Sequence, residues 1–289
     1  MSTQTNTPGT PSGSGDRDPR RSAAARPIMI ATAAVGGLVL LTAGASAAFA
    51  AVSDARAASP VAAQQGVTDL TGITGVDLDI GGADVTLVFG DVEEASIAAA
   101  GRDSDRWRMV RSGSELVVES PSRFFDLCLG WCDERRAATI TLPNELEGVD
   151  LDISLGSGQV HADGTFRDLG IDVGAGKAIV TGSARSVDAE LSAGALDAEL
   201  ADVRSAAFEV SAGGGDVRLT GRAPDEVEAE VSAGSLKLQL PDEMYRVDTD
   251  VSAGDITNEL RVDSASEHRV TASVSAGDLV LLPGEKPAR

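Results

Sequence analysis

The chain has 289 residues, 45 of them acidic and 24 basic, a formal charge of −21, and only 3 % aromatic side chains. Nucleic acid is not an expected partner, because gripping a phosphate backbone takes a basic footprint that this balance lacks. So few aromatics suit a narrow stack of aliphatic side chains better than a broad globular core.

Residues 1–27 are rich in Ser, Thr, Gly and Pro and show no apolar periodicity, which predicts a disordered tail. No charge occurs over residues 28–52. That apolar run is long enough for one helix to cross a hydrocarbon core of about 30 Å. Arg17, Arg20, Arg21 and Arg26 precede it. The positive-inside rule then predicts a single-pass cell-membrane protein with a cytoplasmic N-terminus and the remainder extracytoplasmic. The alternative is a signal segment cleaved near Ala50, where Ala48-Phe-Ala50 fits a small-x-small cleavage site and the product is secreted. Setting aside the four tail arginines with Asp16 and Asp18 leaves 20 basic and 43 acidic residues, so the exported part carries −23.

After a linker over 53–71, residues 72–148 read as an N-terminal β region. Short alternating runs at 85–88, 107–110, 116–118 and 138–142 are joined by polar turns. An insert over 121–137 holds both cysteines. Cys128 and Cys132 lie in a compartment that permits disulfides, and an intraloop disulfide is the expected outcome. No histidine is close in sequence, which disfavours a metal site, and the spacing is not that of a thioredoxin-like redox pair. Around this loop gather Trp107, Arg108, Phe124, Phe125, Trp131, Arg135 and Arg136, with Arg102, Arg106, Arg111 and Arg123 nearby. Arg and Trp are enriched at interface hot spots, so these residues form the candidate partner-binding patch. They equally suit a cap that seals the N-terminal edge of the sheet structure that follows.

From 149 to 282 the sequence repeats. Val187-Asp-Ala-Glu-Leu-Ser-Ala-Gly194, Val227-Glu-Ala-Glu-Val-Ser-Ala-Gly234, Val247-Asp-Thr-Asp-Val-Ser-Ala-Gly254 and Val270-Thr-Ala-Ser-Val-Ser-Ala-Gly277 are close copies. Leu169 to Gly176 and Phe208 to Gly213 are related, and Val149 to Gly156 and Val76 to Ala83 are looser versions. Taken at Gly156, Gly176, Gly194, Gly213, Gly234, Gly254 and Gly277, the corners recur every 18 to 23 residues. Alternation of apolar and acidic residues is the mark of a strand buried on one face. A glycine able to adopt positive φ suits a sharp corner. A second short alternating run follows each corner, and two strands this short must stack on the next unit to bury their apolar faces. The expected fold is all-β: a single parallel β-solenoid of short repeats behind an N-terminal β cap, preceded by one transmembrane helix. A sandwich of hairpins is the structural alternative, and residues 283–289 form a short tail.

Stacking sets Asp150, Asp172, Asp188, Glu190, Glu209, Glu228, Glu230, Asp248 and Asp250 in outward columns. Two unit charges ~5 Å apart in water repel by only about 0.8 kcal/mol, whereas each buried Val or Leu contributes about 1.5–3 kcal/mol. The columns are therefore tolerable as a solvated face without a bound cation. No catalytic constellation, cofactor motif or metal-ligand spacing stands out. Gly176-Lys177 lacks the first glycine and the hydroxyl residue of a phosphate loop.

The Val-x-x-x-Val-Ser-Ala-Gly-Asp-Leu-x-Leu unit over 270–281 resembles the bacterial β-strand-repeat family labelled "putative adhesin". The resemblance covers roughly 75–282 and implies a parallel β-helix carried behind a membrane segment, with no catalytic residues to transfer. It points to a non-enzymatic cell-envelope module for adhesion or interaction, its partner an envelope protein or polysaccharide. The alternative is an envelope-stress sensor whose outer coil senses and whose tail acts inside.

Overall fold

The computed structural model describes residues 63–101, 103–121 and 136–284. The tail and the apolar segment over 28–52 lie outside the described residues, as do both cysteines. Among the described residues no helix is long and apolar enough to cross a membrane.

Twenty strands, all in the unit formed by residues 54–289, build an all-β coil. They open with β1 (Ala63–Val67), β2 (Gly75–Ile80), β3 (Ala83–Gly90), β4 (Ala95–Ala100) and β5 (Arg108–Ser112). Next come β6 (Glu115–Glu119), β7 (Ala137–Pro143), β8 (Asp150–Leu155), β9 (Gly158–Val173) and β10 (Lys177–Leu191). The repeats proper continue as β11 (Ala195–Ala201), β12 (Ser205–Val210), β13 (Gly214–Thr220), β14 (Glu226–Val231) and β15 (Ser235–Leu240). The chain finishes with β16 (Met244–Val251), β17 (Asp255–Asn258), β18 (Arg261–Val262), β19 (Arg269–Val274) and β20 (Asp278–Pro283).

Each repeat contributes one strand before its corner and one after, and the two sets form separate ladders. The pre-corner ladder runs β6, β2, β8, the end of β9, the end of β10, β12, β14, β19, β16, all parallel. The post-corner ladder runs β7, β3, the start of β9, the start of β10, β11, β13, β15, β20, β17, likewise parallel. Alternation does what period two demands. In β14, Val227, Ala229 and Val231 are buried and Glu226, Glu228 and Glu230 exposed, and in β15 Leu236, Leu238 and Leu240 are buried. The core is one narrow aliphatic column between the ladders, continuous from Ile73 to Leu281.

Three features differ from the sequence expectation. First, the corner glycines are not there for positive φ: none of the seven has it, though Gly158, two residues after Gly156, does. The corners stack by backbone hydrogen bonds, such as Ala233 N–H to Ser211 O at 2.9 Å and Ser235 N–H to Gly213 O at 3.0 Å. A Cβ on Gly213 would lie 2.1 Å from Gly194 O, and one on Gly234 2.3 Å from Gly213 O. Glycine is needed because the rung below approaches too closely for a side chain. Second, the first copy sits two residues further on. Leu151 pairs with Leu169 and Ile153 with Ile171, which puts Gly158, not Gly156, in column with Gly176.

Third, the rungs do not stack in chain order at either end. At the C-terminal end β19–β20 pairs with β14–β15 on one side and with β16–β17 on the other. The final repeat thus lies inside and the one before it outside. At the other end β2–β3 lies inside, between β8–β9 and β6–β7. Much of 72–148, expected as a separate cap region, is therefore two more rungs of the same coil. The 23-residue step between Gly254 and Gly277 is the room the chain needs to go out and return.

Candidate functional site

The outer surfaces of the two ladders differ in chemistry. On the pre-corner ladder, Asp172, Glu190, Glu209 and Glu230 are consecutive neighbours in one column. Burial, then the charges of Asp172, Glu209 and Asp188, push the Glu190 carboxyl above its ordinary range. Asp152 is raised by burial and then by Asp77 and Asp150, and Asp77 by burial and then by Asp79 and Glu115. Arginine relieves this face only at its margin. Arg185 pairs with Asp168 at 2.8 Å, Ser186 Oγ donates to Asp168 at 2.5 Å, and Arg167 pairs with Asp150. Burial alone would raise Asp168, but these donors outweigh it and hold its carboxyl below the usual range.

On the post-corner ladder three charges meet an opposite on the next rung, while Asp255 and Asp278 are neighbours of like sign. Lys177 lies 3.6 Å from Asp197, Arg218 3.5 Å from Glu199, and Lys237 3.0 Å from Asp216. Arg218 Nε also donates to Gln239 at 2.9 Å. Exposed pairs of this kind contribute little each, and they offset only part of the acid on this face. One side of the coil is thus an anionic ladder with arginine at its margin, and the other a mixed face with three cross-rung ion pairs.

The patch singled out in the sequence lies at the N-terminal end, where the strand direction reverses. β5 pairs antiparallel to β6, β4 antiparallel to β7 and β1 antiparallel to β4. Trp107, between the short turn Ser104–Arg106 and β5, is 1 % exposed and closes the end of the aliphatic column. It is a core residue and not part of a surface, and its buried indole N–H finds no acceptor. Arg106 and Arg136 both approach the Asp103 carboxylate, at 3.5 and 3.9 Å. Arg111 donates to Asp69 O, Thr71 O and Gly113 O at 3.0, 2.6 and 3.0 Å, which ties β5 to the segment after β1. On β5 both Arg108 and Arg111 are exposed. Phe124, Phe125, Trp131, Arg135, Cys128 and Cys132 lie outside the described residues. In the described part, then, the cluster is built as an end seal.

Among the described residues the opposite end has no such seal. β16 and β17 have a full rung on one side only, and β18 covers just Met244 and Tyr245. Val251 is 44 % exposed, although its ladder neighbour Val274 is 1 % exposed. Sequence reasoning missed this end, yet a signal was present. The rung over 244–258 carries Thr249 and Asn258 at core positions where the other rungs have apolar residues, as suits a rung with water on one side.

A family described as Toastrack DUF4097 matches residues 73–282. No curated protein matches the chain. Among solved structures, a "putative adhesin" from Bacteroides fragilis NCTC 9343 is 15 % identical, with 78 % of this chain and 98 % of that one covered at a TM-score of 0.39. A "putative cell adhesion protein" from Clostridium sporogenes ATCC 15579 is 10 % identical, covering 78 % and 100 %, at 0.29. A "putative adhesin" from Parabacteroides merdae ATCC 43184 is 9 % identical, covering 76 % and 95 %, at 0.33. Likenesses this distant do not bear on function.

Proposed function

The chain belongs to the Toastrack DUF4097 family, and from that premise we propose that it is a non-enzymatic cell-envelope module that binds a protein or polysaccharide of the envelope. The observation that carries this reading is the contrast between its two long faces. The ladder repeats the same outward positions rung after rung, anionic on one side and partly ion-paired on the other. Such a surface presents chemistry at fixed spacing. The apolar segment over 28–52 anchors the module in the cell membrane, with the arginine-bearing tail in the cytoplasm and the coil outside. An intraloop Cys128–Cys132 disulfide holds the insert, whose Phe124, Phe125, Trp131 and Arg135 join Arg108 and Arg136 at the sealed end as one partner surface.

The test is a pull-down from envelope extracts with the full chain, comparing wild type with Trp131→Ala/Arg108→Ala. Retention of a specific envelope component by the wild type is the expected result, and loss of it in the variant places the contact at the sealed end. An empty wild-type pull-down overturns the module reading. Deleting residues 2–24 separates it from an envelope-stress sensor: unaltered retention without a regulatory phenotype is expected, whereas a regulatory defect with normal retention favours sensing.

A further inference from the structure

The open end of the coil is specific about what can cover it. Arg246 and Ser252 donate their N–H groups to His268 and Val274, toward β19. Strand alternation therefore turns the N–H and C=O groups of Val247, Thr249 and Val251 to the free side. The Tyr245 carbonyl also points that way, and it accepts from Asp263 where β18 covers the start of the strand. In β17, Asp255 and Glu259 donate inward to Gly277 and Leu281, so Ile256 and Asn258 face out. Among the described residues nothing pairs with this edge beyond β18.

Backbone, core and charge each constrain the occupant. An open row of donors and acceptors accepts an extended strand. Val247, Val251 and Ile256 hold core positions without a rung above them, which asks for an apolar side chain at every second residue of that strand. Of the five large apolar side chains exposed among the described residues, three (Met244, Val251 and Val262) lie at this end. Beside the edge the outward positions are half-buried Arg246, then Asp248 and Asp250, on one ladder and Asp255 and Thr257 on the other, so Asp248, Asp250 and Asp255 are its exposed charges. They ask for cations at the intervening residues. A second copy of this edge brings the same aspartates and sets acid against acid.

We propose that β16 is a docking edge for an extended segment of a partner protein in which Lys or Arg alternates with Val or Ile, added as the next rung of the coil. The proposal deepens the module reading and rests on it. Because the Thr249 N–H faces outward, proline there removes a donor from the open edge and none from the ladder to β19.

The experiment titrates the full chain into a fluorescently labelled decapeptide alternating Lys and Val, with a Glu–Val decapeptide as control, and reads anisotropy. Saturable micromolar binding of the Lys–Val peptide is expected, with the Glu–Val peptide at least about tenfold weaker. Thr249→Pro and, separately, Asp248→Asn/Asp250→Asn should each weaken binding about tenfold with the melting temperature unchanged; if the proline loosens the fold, the aspartate pair carries the test. No saturable binding identifies an edge merely blunted by charge and overturns the proposal. Equal binding by wild type and the fold-intact variants overturns it too, and reports peptide held on the anionic face. An empty wild-type pull-down counts against the module reading, whereas a pull-down insensitive to Thr249→Pro counts against this edge alone.

Discussion

At its N-terminal end the coil turns two strands, β4 and β5, against the direction of its rungs and lays an indole across the core; among the described residues the ladder at its C-terminal end simply stops. Both ends face the same problem, since a terminal rung has apolar side chains and backbone groups with no neighbour beyond it. One answer is to bury them under a bulky side chain and reversed strands. The other is to make the last rung less apolar, with Thr249 and Asn258 in core positions, and to flank its edge with aspartates. The first solution contributes stability. The second gives stability up and leaves an edge that can still pair.

Substitutions at the two ends should therefore differ widely. Trp107→Ala empties the seal and is expected to cost about 3–5 kcal/mol in denaturant unfolding. A loss below 1 kcal/mol would mean that the seal lies elsewhere. Next in size is an alanine in the glycine column. Gly234→Ala, clamped between rungs above and below, should cost about 1–3 kcal/mol. Gly254→Ala meets Gly277 O as closely, at 2.2 Å, but has no rung beyond it and can move outward. Its smaller cost measures how far the open end relaxes, and equal costs would show that end to be as rigid as the middle. Val251→Ala at the open end should change stability by only about 0.5 kcal/mol.

The smallest effect has the opposite sign. Asp77, Asp152 and Glu190 are raised in the folded chain, so the fold holds their protons more tightly than the unfolded chain does. Their penalty is present above the raised values and fades as the pH falls toward the ordinary carboxylate range. Asp168, which is lowered, acts the other way: its contribution is present above the ordinary value and disappears as the pH falls through its folded one. Three raised groups against one lowered group predict a gain in melting temperature from neutral pH to about pH 5. Asp152→Asn should raise the melting temperature at pH 7 and shrink that gain. A melting temperature that falls steadily from pH 7 to pH 5 would remove the anionic face as a source of strain.

How much of this could be read in the residues follows from range. Alternation within Val227 to Val231 fixes which side chains point inward, and the Ser-Ala-Gly corner marks where the strand bends, because both are local patterns. The reason for the glycine was not legible, since the atom that forbids a side chain at Gly213 belongs to Gly194, one rung away. Rung order was hidden for a related cause. The copies at 247–254 and 270–277 are nearly interchangeable, so similarity cannot say which of them lies outermost. Composition placed Trp107 with Arg108 and Arg136 in one cluster, and all three do lie at one end. Only burial separates the plug from the surface, and burial depends on β5 reversing direction.

The inserted last repeat has a bearing on how the protein is made. A coil stacked in chain order could settle rung by rung as it emerges from the ribosome or the export channel. Here β16–β17 reaches its final place only when residues 269–283 arrive and pair between it and β14–β15. Until then, β16 carries nearly the same pattern as the rung it waits for and can occupy that berth itself, one register early. A chain cut short after residue 268 would then still finish as a tidy coil, one rung shorter. The last fifteen residues of the coil thus act as a completeness check, and the outermost rung is displayed only by a chain translated through to its final strand.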